Sequence, residues 1–149
     1  MHQLLTLRAL RYVAQLFVLA SALNYPWELA QGKFFNGMNS VKLAWAHCLG
    51  SAVGDGGITL VVYLLGSVQY QSWAGSYQME VRKYLTVAVI GFIMGGIVEW
   101  VALNLLHRWS YTADMPVIPI LHVGIFPLLQ MVFLLPIIFF FAGRLDLSR

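Results

Sequence analysis

Three carboxylates stand where an apolar chain has least use for them: Glu28, Asp55 and Glu99, each inside a long hydrophobic stretch. An ionised carboxylate at the centre of a bilayer costs ~2.5–3.5 kcal/mol even on the milder insertion scale, so such groups turn toward a protein interior and find partners there. Asn24, His47, His122 and Gln130 are the other polar side chains singled out within these stretches. Helical spacing gathers them into stripes. Asn24, Glu28 and Gln31 fall at i, i+4 and i+7; His47, Ser51 and Asp55 at i, i+4 and i+8; His122, Phe126 and Gln130 at i, i+4 and i+8. Glu99 and His107 repeat the pattern on a further segment.

A carboxyl group kept from water tends to retain its proton. Glu28, Asp55 and Glu99 are therefore candidate catalytic acids toward a hydrophobic substrate, suited to acid-initiated reaction of an alkene or an epoxide. Asn24, Trp27, His47, Trp100, His122 and Gln130 are the candidate substrate-binding residues, with the Trp27 and Trp100 rings available to stabilise positive character. Imidazole and carboxylate ligands also suit Zn, Fe, Mn or Cu, so His47 and His122 with two carboxylates form an alternative ligand set. No HxxxH, ExxH or HExxH spacing occurs, however, and no metal or cofactor is assigned. Against chemistry stands packing: polar pairs between membrane helices set register and contribute ~0.6 kcal/mol on average. A single His or Asn is readily explained that way, whereas three acids on three helices are not.

The elements that must position these residues follow from composition. Of 149 residues 60% are hydrophobic and 10% charged, against roughly 45–50% and 25% in soluble domains, too few charges to coat a soluble fold. Four apolar stretches, 12–30, 43–68, 84–106 and 117–142, are each long enough to cross ~30 Å of hydrocarbon at 1.5 Å per residue. The intervening 31–40, 69–83 and 107–116 are polar and read as interfacial loops. Backbone groups in lipid must be satisfied within the segment, and period-two alternation is lacking. The expected fold is thus all-α, a single-domain integral membrane four-helix bundle over 1–149.

Basic residues orient it. With the N-terminus inside, the inner side holds Arg8, Arg11, Arg82, Lys83, Arg144 and Arg149, and the outer side Lys33, Lys42 and Arg108. The excess favours N-in and C-in. Aromatic belts agree, with Tyr25, Trp27, Trp45, Trp109 and Tyr111 outside and Tyr12, Tyr70, Trp73, Tyr77 and Tyr84 inside. A multi-pass protein of a bacterial inner membrane is the expected setting. Arg8, Arg11 and Ala20-Ser21-Ala22 also resemble a cleavable leader, but cleavage would leave an odd number of helices and a poorer charge asymmetry. The scattered basic residues make no nucleic-acid face, and Cys48 reads as a buried structural thiol.

In this arrangement Glu28, His47, Glu99 and His122 fall in the outer half, and Asp55 and Gln130 share a level about a dozen residues into their helices. The stripes then converge on one pocket that opens outward above an apolar inner half. Gly50-xxx-Gly54 and Gly91-xxx-Gly95, followed by Gly96, predict close helix contacts. Pro119, Pro127 and Pro136 predict a kinked fourth helix with a cavity beside it.

Asn24-Tyr-Pro-Trp-Glu28 resembles the Asn-x-x-Trp-Glu segment of integral-membrane terpene cyclases from meroterpenoid and indole-diterpene pathways. That resemblance implies for Glu28 the role of an acid that helps open an epoxide and start cyclisation; it covers one helix, in a family of about seven helices. Asn-x-Pro-Trp-Glu in the first helix, Gly-Asp in the second, Glu-Trp in the third, and Met-Pro-x-x-Pro leading into Pro-Leu-Leu-Gln in the fourth also look like small bacterial membrane proteins of unassigned function. The leading expectation is a cyclase- or isomerase-like enzyme on a lipophilic, isoprenoid-type substrate. The alternatives are an accessory subunit of a larger membrane complex, binding a metal, lipid or quinone, and a proton-coupled carrier, less favoured because the inner half lacks polar residues.

Overall fold

The computed structural model describes residues 2–38, 41–70 and 80–145. Helix α1 (His2–Gln31) ends in a 3-10 turn, Gly32–Phe34, and is followed by α2 (Val41–Tyr70) and α3 (Val81–Asn104). Two short strands, β1 (Val117–Ile118) and β2 (Val123–Gly124), pair antiparallel before α4 (Ile125–Leu145). The molecule is an all-α four-helix bundle. Trp73, Tyr77 and Arg149, assigned above to the inner boundary, lie outside the described residues.

Three of the helices, α2, α3 and α4, are long and apolar enough to cross a membrane. Helix α1 is as long as α2, but Gln15, Asn24, Glu28 and Gln31 dilute its apolar character. It packs most extensively on α2, as α3 does on α4, and it also touches α4. Of the four neighbouring pairs around the bundle, α2 and α3 approach least.

The fourth helix starts later than its apolar run. Residues 117–124, expected within it, form the hairpin instead. Pro119 has no N–H to donate to a helical ladder, and His122 adopts φ 53, a left-handed conformation that a helix does not continue through. Pro127 then falls in the first turn of α4, where N–H groups have no intrahelical acceptor in any case. Gln130 is consequently the sixth residue of its helix rather than about a dozen residues in.

Glycines divide by helix. A side chain at Gly91 would strike Leu135 and the Met131 carbonyl, and one at Gly95 would strike Met131, so α3 does lie against α4 through its glycines. On α2 the expectation fails: Gly50 and Gly54 face open space, and Gly56 is the residue that lets α1 close in, against Ser21 and Phe17. The apolar core, Tyr12, Leu16, Ala20, Val62, Tyr63, Val87 and the α4 residues Met131, Leu135, Ile138, Phe139 and Ala142, fills the half of the bundle away from the 31–41 and 104–125 connections. The polar side chains singled out from the sequence lie in the other half, where those connections meet; Gln15, whose Oε1 is buried beside the core, does not.

Candidate functional site

Helix α1 presents Asn24, Glu28 and Gln31 to the bundle because they share one face; Asn24 and Gln31 are almost fully buried. Buried amides need partners, and Gln130 on α4 supplies them. Its Nε2 donates to Asn24 Oδ1 at 2.8 Å and to Asp55 Oδ2 at 2.7 Å, and its Oε1 accepts from Gln31 Nε2 at 2.9 Å. Gln31 Nε2 also donates to Glu28 Oε1 at 2.8 Å, and Asn24 Nδ2 to the Ala20 carbonyl at 2.8 Å. One glutamine thus ties α1, α2 and α4 together at a single level. Asp55 and Gln130 meet there, although they stand at different distances from the starts of their helices.

The Glu28 and Asp55 carboxyl groups lie within hydrogen-bonding reach of each other. Two carboxyl groups so placed bond to each other only when one of them carries a proton, a chemistry for which the pair is positioned. The donors aimed at them, Gln31 Nε2 at Glu28 and Gln130 Nε2 at Asp55, are neutral amides.

Glu99, also buried, belongs to a second constellation. Its Oε1 accepts from Trp109 Nε1 at 3.0 Å and from the Tyr111 hydroxyl at 2.5 Å. The Tyr111 oxygen in turn accepts from the Gly124 N–H at 2.8 Å, an approach that a side chain at Gly124 would obstruct by meeting the Tyr111 ring at 3.0 Å. Burial, and then the adjacent Glu99, push the Tyr111 hydroxyl well above the ordinary tyrosine range, so it remains a donor. The connections cross-link above this point. Phe35 and Tyr111 form a β-bridge, Asn36 N–H donates to the Ser110 carbonyl at 2.9 Å, Thr112 N–H to the Phe34 carbonyl at 2.9 Å, and Phe34 stacks on Phe126. Together they cap one end of the bundle.

Beneath the cap is a cavity of about 410 Å³, within the ~300–1,000 Å³ span of small-molecule sites. Glu28, Asp55, Glu99, His47 and Gln130 all line it. Asn24 stands behind that wall, reached through Gln130. Among the lining residues not singled out above as binding groups are Gln31, Phe35, Arg108 and Trp109. Gln31 was legible as the third member of the α1 stripe; Trp109 and Phe35 lie in connections, whose pairing no periodicity announces.

Three expected members stand apart. Trp27 is half-buried and does not line the cavity, and Trp100 lies exposed on α3, so Trp109, whose ring also meets His47 edge-on, is the indole beside the carboxyls. His122 sits exposed on the hairpin rather than on the face of α4, which separates it from His47. The ligand set built from both histidines therefore does not assemble, and among the described residues no three His, Cys, Asp or Glu side chains converge as a metal site. Cys48 is buried, its thiol 3.5 Å from the Glu28 carbonyl oxygen.

No family model matches this chain, and no curated protein or solved structure matches it significantly. The functional reading accordingly rests on the geometry of the site and on the short resemblance at Asn24 to Glu28.

Proposed function

We propose that this protein is a membrane-embedded acid–base enzyme acting on a lipophilic, isoprenoid-type substrate, with the Glu28–Asp55 pair as its proton source. The placement of those two carboxyl groups together at the wall of a small-molecule-sized cavity, joined through the Gln31 and Gln130 amides, carries the reading. A proton shared between carboxyls is held without a strong base or a metal and can pass to a substrate carbon. The π electrons of an alkene form the new C–H bond and the neighbouring carbon becomes cationic; loss of a proton from an adjacent carbon to the same pair restores the acid. The net change is an isomerisation or cyclisation that needs no co-reactant. On an epoxide the proton goes to oxygen as the C–O bond breaks. Gln31 and Gln130 stabilise the carboxylate left behind, and the Trp109 and Phe35 rings offer π faces to the cation. The resemblance of Asn24-Tyr-Pro-Trp-Glu28 to membrane terpene cyclases supports the same assignment for Glu28. The proposed setting is a bacterial inner membrane, crossed four times with both termini inside.

The test is proton transfer to carbon in D₂O. Proteoliposomes are given a C20 prenol and, separately, its 2,3-epoxide, and the products are read by mass spectrometry. Wild-type protein is expected to yield isomeric or cyclised product carrying deuterium. Glu28→Gln and Asp55→Asn, near-isosteric and without the acid, are expected to lower the rate by about 10²-fold or more while the unfolding midpoint holds or rises. Wild-type rates in both variants would remove the carboxyl pair from the chemistry.

A further inference from the structure

The cavity has a sealed side and an open one. Its lining residues on α1 and α4, among them Glu28, Gln31 and Gln130, are buried or half-buried. The exposed ones, Ala46, Gly50 and Gly54 on α2, Val98 on α3 and Arg108 just beyond it, run along the seam where α2 and α3 approach least. Gly50 and Gly54 stand one turn apart with nothing within 4 Å of where their side chains would be, so at these two positions the seam opens as a slot. The end of the bundle, by contrast, is covered by the cross-linked connections. Inside the cavity, Gln31 is 5% exposed, donates through Nε2 to Glu28 and Gln130, and leaves Oε1 with no hydrogen-bond partner. A buried acceptor without a donor costs on the order of 1–3 kcal/mol; Oε1 is covered by its neighbours, so a ligand donor meets it through a turn of the Gln31 side chain toward the cavity that Gln31 lines.

We infer that the cavity is loaded sideways from the bilayer through the slot between α2 and α3, by a single-chain lipophile whose hydroxyl head donates to Gln31 Oε1. This rests on reading the cavity as a substrate site, and it narrows the substrate class to a membrane-dissolved alcohol. The head lies beside the carboxyl pair, and the chain leaves along Gly54 and Gly50 into lipid. A water-soluble solute is selected against twice, by the capped end and by a slot edged, apart from Arg108, with the apolar Ala46, Gly50, Gly54 and Val98, which strips charge of its hydration.

The experiment needs no catalytic readout, so failure of the acid chemistry and failure of lateral loading are distinguishable. Ser51, which lines the cavity, is replaced in a Ser51→Cys, Cys48→Ser protein in liposomes and treated with an apolar pyrene maleimide or a sulfonated maleimide. The apolar reagent is expected to react at least about tenfold faster, because burying the sulfonate costs more than ~1.4 kcal/mol. Adding Gly54→Leu, or Gly50→Leu, is expected to slow it about tenfold with the unfolding profile unchanged. Gly57→Leu, also facing open space but off the cavity, leaves it unaltered. A C20 prenol protects the thiol, and its methyl ether, lacking the donor, protects roughly three- to tenfold less. Faster reaction of the sulfonated reagent, or indifference to both leucines, would place the route through the cap and overturn the inference; equal protection by alcohol and ether would overturn the hydroxyl assignment.

Discussion

Gln130 shows how one side chain can organise a membrane interior. It uses both N–H donors and its carbonyl in three bonds that reach α1 and α2 from α4. Gln130→Leu keeps the volume close but strands Asn24 Oδ1, an Asp55 oxygen and one Gln31 donor direction. Each stranded buried group costs on the order of 1–3 kcal/mol, less than additively because Asp55 and Gln31 retain other contacts. We expect a clear fall in unfolding free energy on denaturant titration in mixed micelles, in contrast to Glu28→Gln, whose amide keeps its hydrogen-bonding capacity and whose stability holds or rises. A variant as stable as wild type would mean that the network contributes nothing to the fold. The stripes that place Asn24, Glu28, Gln31 and Asp55 on shared faces were legible from spacing alone. That Glu99 answers to Trp109 and Tyr111 was not, because those donors come from irregular backbone.

At the scale of elements, the glycines of α3 and α2 look alike in sequence and behave oppositely. Gly91→Leu drives a Cβ into Leu135 Cδ1 and brings it to 3.2 Å from the Met131 carbonyl, so α3 must move off α4. Overpacking of that kind costs about 1–3 kcal/mol. Gly57→Leu on α2 meets nothing and is expected to be neutral or slightly stabilising, since leucine is the better helix former. Equal midpoints for the two variants in thermal unfolding would refute the α3–α4 contact. The hairpin before α4 makes the same point about boundaries. The apolar run continues through 117–124, but Pro119 and the left-handed His122 end any helix there, and the hairpin supplies the Gly124 N–H that holds Tyr111.

For the whole molecule, the segregation of an apolar core at one end from a capped polar cavity at the other leaves no chain of polar side chains across the bundle among the described residues. That arrangement suits a site reached from one side of the membrane. The excess of basic residues at the opposite end predicts that the cap faces outward. In intact cells, Asn36→Cys in a Cys48→Ser background is expected to react with an impermeant maleimide, and a tag at either terminus to stay protected from external protease. Labelling at Asn36 only after lysis would invert the topology. An externally cleaved N-terminal tag would mean that α1, the least apolar of the four helices, does not cross.

Composition and periodicity by themselves indicated four long helices and most of the polar residues that hide among them, with His122, exposed on the hairpin, the exception. Those are properties of ten to thirty consecutive residues, and the cost of a carboxylate in lipid is the same wherever its partner comes from. Tertiary structure alone decided which of those residues meet. Glu28 with Asp55, Gln130 with Asn24, and Asn36 with Ser110 are joined across separations that no local period encodes. It also decided which glycine stripe is a contact and which an opening, because a missing side chain permits either. What distinguishes them is whether another helix is pressed against it, and that depends on how all four helices share a limited set of apolar faces.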